Sequence, residues 1–313
     1  MTTTANNATG DYLVHGLAAD GYIRVLCARS TGLVEEARAR HNLWPIPAAA
    51  LGRALTGAAL LAASLKGRER IQIQIVGDGP LRHVTVGADA DGKLRGYVGN
   101  PYVDLPSNAS GKLNVGGAVG SGFLHVIKDL GLKEPYRSTL PLVSGEIADD
   151  LTHYLVASEQ RPSVVALGVL VDTDGSVRAS GGFVVQLMPG YDEALVEALE
   201  ERVRAIPSIS HLMDEGNTPE EVAAQLTEPW GEPRWLQRKD LRFACDCSRE
   251  RFERALIALG PEELEDMIEE QGGAELTCHF CADRYYFTAD ELRNLAALAR
   301  AKQNDGSVRL SDT

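Results

Sequence analysis

Arg70-Ile71-Gln72-Ile73-Gln74-Ile75 is the stretch that decides the fold class. Isoleucine at every second position, with glutamine between, has the two-residue period of a strand that buries one face. Asp78-Gly79-Pro80 turns the chain, and Leu81 to Val86 and Leu94 to Val98 continue as strands on either side of Asp91-Gly92, a pair suited to a tight hairpin. The pattern predicts a meander of short antiparallel strands. Immediately before it runs the apolar stretch Ala48 to Leu65, with Pro47 in the first-turn position that proline favours. Arg53, Thr56 and Ser64 interrupt this stretch, and it barely reaches bilayer-spanning length, so it reads as a core helix. An antiparallel meander beside a buried helix is an α+β arrangement.

Working outward toward the N-terminus, Leu33 to His41 is helical in pattern, and Tyr12 to Gly16 and Tyr22 to Ala28 read as two strands joined at Asp20-Gly21. Cys27 lies among Val25, Leu26 and Ala28 and reads as a small buried apolar residue. Toward the C-terminus, Asn114 to Gly122 is glycine-rich but lacks the order of a phosphate-binding loop, and Phe123 to Ile127 reads as a further strand. Glu146, Asp149 and Asp150 open a helix that runs to about Ser158, where the positive helix end favours carboxylates without any catalytic role. Val164 to Val171 and Val177 to Leu187 complete the strands, so residues 1–190 form the expected core domain.

From Tyr191 the composition changes. Leu195, Leu199 and Val203 recur at four-residue spacing among acids, and Thr218-Pro219-Glu220-Glu221 is a capping box that opens a second short helix. Pro229 to Trp235 reads as an irregular connection. Residues 191–241 therefore read as a helical, metastable linker whose apolar stripe has to rest on another part of the chain.

The remaining four of five cysteines fall in two tight pairs, Cys245-Asp246-Cys247 and Cys278-His279-Phe280-Cys281. The chain shows no export signal at its start, so a reducing cytoplasmic setting is expected, in which such thiols hold a metal rather than structural disulfides. Four sulfurs at about 2.3 Å satisfy Zn²⁺ as a closed tetrahedral site, which makes Cys245, Cys247, Cys278 and Cys281 the expected ligands of one zinc. His279 is the alternative fourth ligand. A module spanning 242–300, followed by a polar tail at 301–313, buries too little surface to be comfortable alone, whereas structural zinc contributes about 10–16 kcal/mol of coupled folding energy.

Composition narrows the function. The net charge is -13, and between Phe243 and Phe287 eleven acids face four arginines, which disfavours nucleic acid as a partner. No membrane partner is expected either, and no nucleophile, base or phosphate site marks an enzyme.

The one-residue spacing of Cys245 and Cys247, the pair Cys278 and Cys281 after Gly272-Gly273, and the runs Lys128-Asp-Leu-Gly-Leu, Pro135-Tyr136 and Ser144-Gly-Glu-Ile-Ala-Asp-Asp-Leu151 resemble the heat-shock protein 33 family of redox-regulated chaperones. The resemblance implies an ATP-independent holdase that is inactive while reduced and zinc-bound. It implies that oxidation joins Cys245 with Cys247 and Cys278 with Cys281, expels zinc, loosens the linker, and yields a homodimer that binds unfolded client proteins. The competing readings are an enzyme or a nucleic-acid-binding factor with a purely structural zinc module.

Overall fold

The computed structural model describes residues 10–308. The chain divides into two compact units, Met1–Ala244 and Cys245–Thr313.

In the first unit, β1 (Tyr12–Ala18) and β2 (Ile23–Arg29) form a hairpin, and α1 (Thr31–His41) leads to α2 (Pro45–Leu61), whose proline lies in the first turn. The isoleucine stretch becomes β3 (Arg70–Gly77), with Ile71, Ile73 and Ile75 each 1% exposed, as a period of two requires. β4 (His83–Asp89) and β5 (Lys93–Val98) follow, then the short α3 (Val115–Val119), β6 (Gly122–Asp129), β7 (Tyr136–Pro141), α4 (Ala148–Ala157), β8 (Ser163–Val171) and β9 (Val177–Leu187). Residues 191–241 supply α5 (Glu193–Ala205), α6 (Ile209–Asp214), α7 (Pro219–Thr227) and β10 (Arg234–Asp240), and β11 (Arg242–Phe243) closes the unit.

Two sheets result, in the orders β10-β1-β2-β9-β8 and β11-β5-β4-β3-β6-β7. Every pairing is antiparallel except the two-residue join of β11 to β5. α2 packs against strands of both sheets, and 89% of an 18-residue window within Pro45–Ser64 is buried; this helix is long and apolar enough to cross a membrane, but its apolar surface forms the core between the sheets. The carboxylates at α4 serve the backbone: Asp150, 1% exposed, accepts from the N–H groups of Val143 at 2.7 Å and Ile147 at 3.0 Å. Glu146 pairs with Arg53 and accepts from the Gly116 N–H at 3.1 Å, so it holds the glycine-rich segment in place.

The stripe on residues 191–241 does find cover. Leu199, Ile209, Leu212, Met213, Val222 and Leu226 form one apolar cluster with residues of β1, β2 and β9. Tyr12 of β1 donates to Glu220 Oε2 at 2.7 Å and carries the Arg238 guanidinium 3.7 Å over its ring, which ties both α7 and β10 to the first strand. The structure differs from the sequence reading at the end of this segment. An irregular connection is expected from Pro229, yet Arg234–Asp240 is a strand in register with β1, Tyr12 opposite Asp240. Backbone hydrogen bonds to a partner strand form it, and its exposed, charged side chains give it no apolar alternation to read.

The second unit contains α8 (Arg249–Leu259), α9 (Pro261–Gln271), the hairpin β12 (Gly273–Thr277) and β13 (Arg284–Thr288), and α10 (Ala289–Val308). Thr288 and Glu291 cap α10 reciprocally: Glu291 Oε2 accepts from the Thr288 N–H at 2.8 Å, and Thr288 Oγ1 from the Glu291 N–H at 3.3 Å. The buried cluster is small, built on Leu256, Leu264, Phe287, Leu292, Leu295 and Ala296.

Candidate metal centre

Each cysteine pair is placed by a tight local structure. Cys247 lies just before Ser248, the N-cap of α8, whose Oγ accepts from the Arg251 N–H at 3.3 Å. Cys278 and Cys281 occupy the turn of the β12–β13 hairpin. There the Cys278 N–H donates to Asp283 O at 2.9 Å, the Ala282 N–H donates to Cys278 O at 2.8 Å, and Ala282 takes a positive φ of 60° to close the loop. Arg249 fastens α8 to the hairpin by donating to Tyr286 O at 2.8 Å while its guanidinium lies 4.3 Å over the Phe287 ring, and to α10 by donating to Glu291 Oε1 at 2.6 Å.

These elements bring the ligand sulfurs of Cys245, Cys247, Cys278 and Cys281 within 4.8 Å of one another. Cys245 and Cys278 are 3.8 Å apart, and Cys247 and Cys281 3.3 Å. A tetrahedron with metal–sulfur bonds of about 2.3 Å has edges of about 3.8 Å, so the donor set fits a four-sulfur metal site. His279, the alternative ligand, is exposed and lies outside the cluster.

The electrostatics also call for a cation. Burial raises the Cys245 thiol above its usual range, with Cys278 adding to the effect, and burial pushes the Cys281 thiol up further. Cys247 differs: burial opposes its ionisation, but hydrogen bonds from Tyr285 and the neighbouring thiols outweigh that and leave it below the usual range. Four sulfurs so close cannot all become thiolates without a compensating charge, and a divalent ion supplies it. Tyr285 is the residue that sequence reasoning missed. Its hydroxyl lies 3.3 Å from Cys247 Sγ, and its ring packs on Phe252 with centroids 4.7 Å apart. The fifth cysteine, Cys27, is 0% exposed on β2, its thiol raised far out of the reactive range by burial.

Fold and site together define a two-unit α+β protein whose smaller unit is organised around four sulfurs placed to hold a metal ion. A family model described as "Hsp33 protein" matches residues 11–288. A 33 kDa chaperonin from Desulforamulus reducens is 50% identical over 295 residues, covering 94% of this chain and 99% of the relative. One from Bacillus subtilis is 48% identical over 287 residues, covering 91% and 98%. The crystal structure of the 33 kDa chaperonin (heat shock protein 33 homolog) from Thermotoga maritima superposes with a TM-score of 0.86 at 42% identity, covering 92% of this chain and 98% of that one. The chain belongs to the Hsp33 family.

Proposed function

We propose that the protein is a redox-regulated, ATP-independent holdase, silent while Cys245, Cys247, Cys278 and Cys281 hold one Zn²⁺ as thiolates. The observation that carries this reading is the clustering of four sulfurs within 4.8 Å in a unit whose buried core is so small. Zinc supplies charge neutralisation and a cross-link; the chain's own residues supply the switch. Oxidation by peroxide joins Cys245 with Cys247 and Cys278 with Cys281. Each bond forms as two thiolates lose two electrons and hydrogen peroxide, taking up two protons, becomes two waters. Once joined as disulfides, Cys245, Cys247, Cys278 and Cys281 would no longer hold a metal ion. In the resting site sulfurs of different motifs are in contact, Cys245 with Cys278 and Cys247 with Cys281, so pairing within each motif involves a regrouping of the four sulfurs. A disulfide across Cys-Asp-Cys closes a small strained ring, the kind that reduction reopens readily.

Without zinc the second unit loses its main cross-link. Residues 191–241 then loosen from the five-stranded sheet, and the apolar surfaces parted in this way bind unfolding client proteins and support a homodimer. The reading has no enzymatic step, no nucleic-acid or membrane partner, and a cytoplasmic setting in which reduction resets the thiols. The test measures zinc with a colorimetric chelator before and after peroxide, alongside light scattering of a heated client without ATP. Release of about one zinc per chain together with suppressed aggregation is the expected result; zinc retained after oxidation, or a client that aggregates regardless, overturns the proposal.

A further inference from the structure

The two edges of the five-stranded sheet are unlike. β10 carries Arg234, Arg238, Lys239 and Asp240, charges of the kind that discourage a further strand. β8, at the opposite edge, reads Ser163-Val-Val-Ala-Leu-Gly-Val-Leu-Val171, with neither charge nor proline in nine residues. Its ladder is used on the β9 side only. The Val165 N–H points away from β9 and donates to Thr152 Oγ1 at 3.1 Å. By the alternation of an antiparallel ladder, the backbone groups of Leu167 and Val169 face the same way, and no partner for them occurs among the described residues.

That row of backbone donors and acceptors borders a groove of about 700 Å³, within the range of about 300–1,000 Å³ that ligand clefts occupy. The segment around Lys112 and the start of α6 help to wall it. α6 sits hard against the strand: a Cβ on Gly168 would lie 2.7 Å from Ser210 N. The basic side chains lining the groove are Lys112, Arg53, which is paired with Glu146, and His211, which lies 3.2 Å from Glu215, and no carboxylate lines it. Arg53 Nε is buried there without a hydrogen-bond partner.

The geometry points to the β8 edge as a strand-addition site for an extended, apolar segment of an unfolding polypeptide with acidic flanks. Backbone hydrogen bonds to Leu167 and Val169 hold the segment, and Lys112, in a lining without carboxylates, favours the acidic flanks. This rests on the holdase reading for its occupant. It adds where the client's backbone is held, and it makes α6, part of the segment that oxidation loosens, the wall whose departure widens the groove.

The probe is a short labelled peptide of apolar residues ending in aspartates, followed by fluorescence anisotropy with the oxidised full-length protein. Three comparisons are made: the same peptide N-methylated at alternate residues, a version ending in lysines, and the Val169→Pro variant, which removes one outward N–H and leaves the β9 ladder intact. Each change is expected to weaken binding by about tenfold or more, as loss of backbone hydrogen bonds or charge complementarity requires. Reduction of the protein is expected to weaken binding too. Equal binding of the N-methylated and unmethylated peptides overturns the inference, and because that comparison uses the unsubstituted protein, it stands even if Val169→Pro fails to fold. A size-exclusion shift from dimer to monomer in Val169→Pro, with peptide affinity unchanged, also overturns it by giving the edge to a second copy. If the protein protects a heated client while N-methylation has no effect, the edge assignment falls and the holdase stands; if no client is protected, the holdase reading falls by itself.

Discussion

Cys278 is buried in the hairpin turn and is one of the four clustered sulfurs proposed to hold the zinc. Replacing its thiolate with a hydroxyl removes a soft ligand and leaves three, so Cys278→Ser is expected to lower zinc content well below one per chain and leave residues 245–302 partly unfolded in reducing buffer. Metal analysis with near-normal zinc would rule out four-sulfur ligation. Tyr285 touches the site without ligating it. Since partners of metal ligands tune affinity by about 10- to 100-fold, Tyr285→Phe is expected to keep zinc at rest but release it to a competing chelator about tenfold more readily. An unchanged competition curve would assign the tyrosine to packing alone, on Phe252. The four-cysteine cluster was legible in the sequence because a set of residues suited to a metal fixes residue type and spacing together. The tyrosine was not, because a hydroxyl aimed at a sulfur requires only that β13 place it there, and nothing in the order Arg284-Tyr285-Tyr286-Phe287 tells the two tyrosines apart.

Among the elements, those closed by local chemistry were the readable ones. The capping box at Thr218 and Glu221 and the proline start of α2 need only neighbours in sequence. β10 needs β1. Gly16 of β1 shows how close that pairing is: a Cβ there would lie 2.8 Å from Pro233 Cβ and 3.0 Å from the Trp235 ring. Gly16→Ala is therefore expected to push β10 from the sheet, costing about 1–3 kcal/mol as other overpacked contacts do. Faster amide hydrogen exchange across residues 234–240, with β2 and β9 unaltered, is the sign to look for, and unaltered exchange in β10 would show that the strand shifts without loss. His15, beside that glycine, adds a pH dependence. Its Nε2 accepts from Arg24 Nε at 3.0 Å, which requires neutral imidazole, and burial together with the Arg24 charge lowers its pKa from 6.5 to about 4. The unfolded chain protonates first, so stability that is complete above pH 6.5 declines as pH falls toward about 4. Thermal melts of the reduced protein at about pH 7 and about pH 5 are expected to differ more than those of His15→Gln, whose amide oxygen can still accept from Arg24; equal differences would remove His15 as the cause.

For the whole molecule, the division into two units means that the proposed zinc would matter unequally to them. The first has the cluster joining α5, α6 and α7 to β1, β2 and β9, while the second has a handful of buried side chains and four sulfurs. Stripping zinc with a chelator under reducing conditions is expected to separate thermal unfolding into two transitions, the second unit melting first and the first unit little changed; a single unshifted transition would mean that the metal contributes nothing to folding. The α+β class and the antiparallel meander followed from residue periodicity. The split into two sheets with α2 between them did not, since it depends on which strand neighbours which, and no local pattern records that.

The pairing of β1 with β10 also sets an order of events at birth. Tyr12 faces Asp240 across the sheet, so the first strand leaves the ribosome long before its edge partner exists. At about 5–20 residues per second, the delay is on the order of tens of seconds. During that interval β1 can pair only with β2, and the nascent chain displays an unfinished sheet edge and an apolar face awaiting α5, α6 and α7. What is added last and at the margin can be taken away first without dismantling the rest, so the sequence of synthesis rehearses in reverse the loosening proposed for the mature protein. A chain arrested shortly before residue 193, where α5 begins, is thus expected to resemble the oxidised protein in the surface it offers.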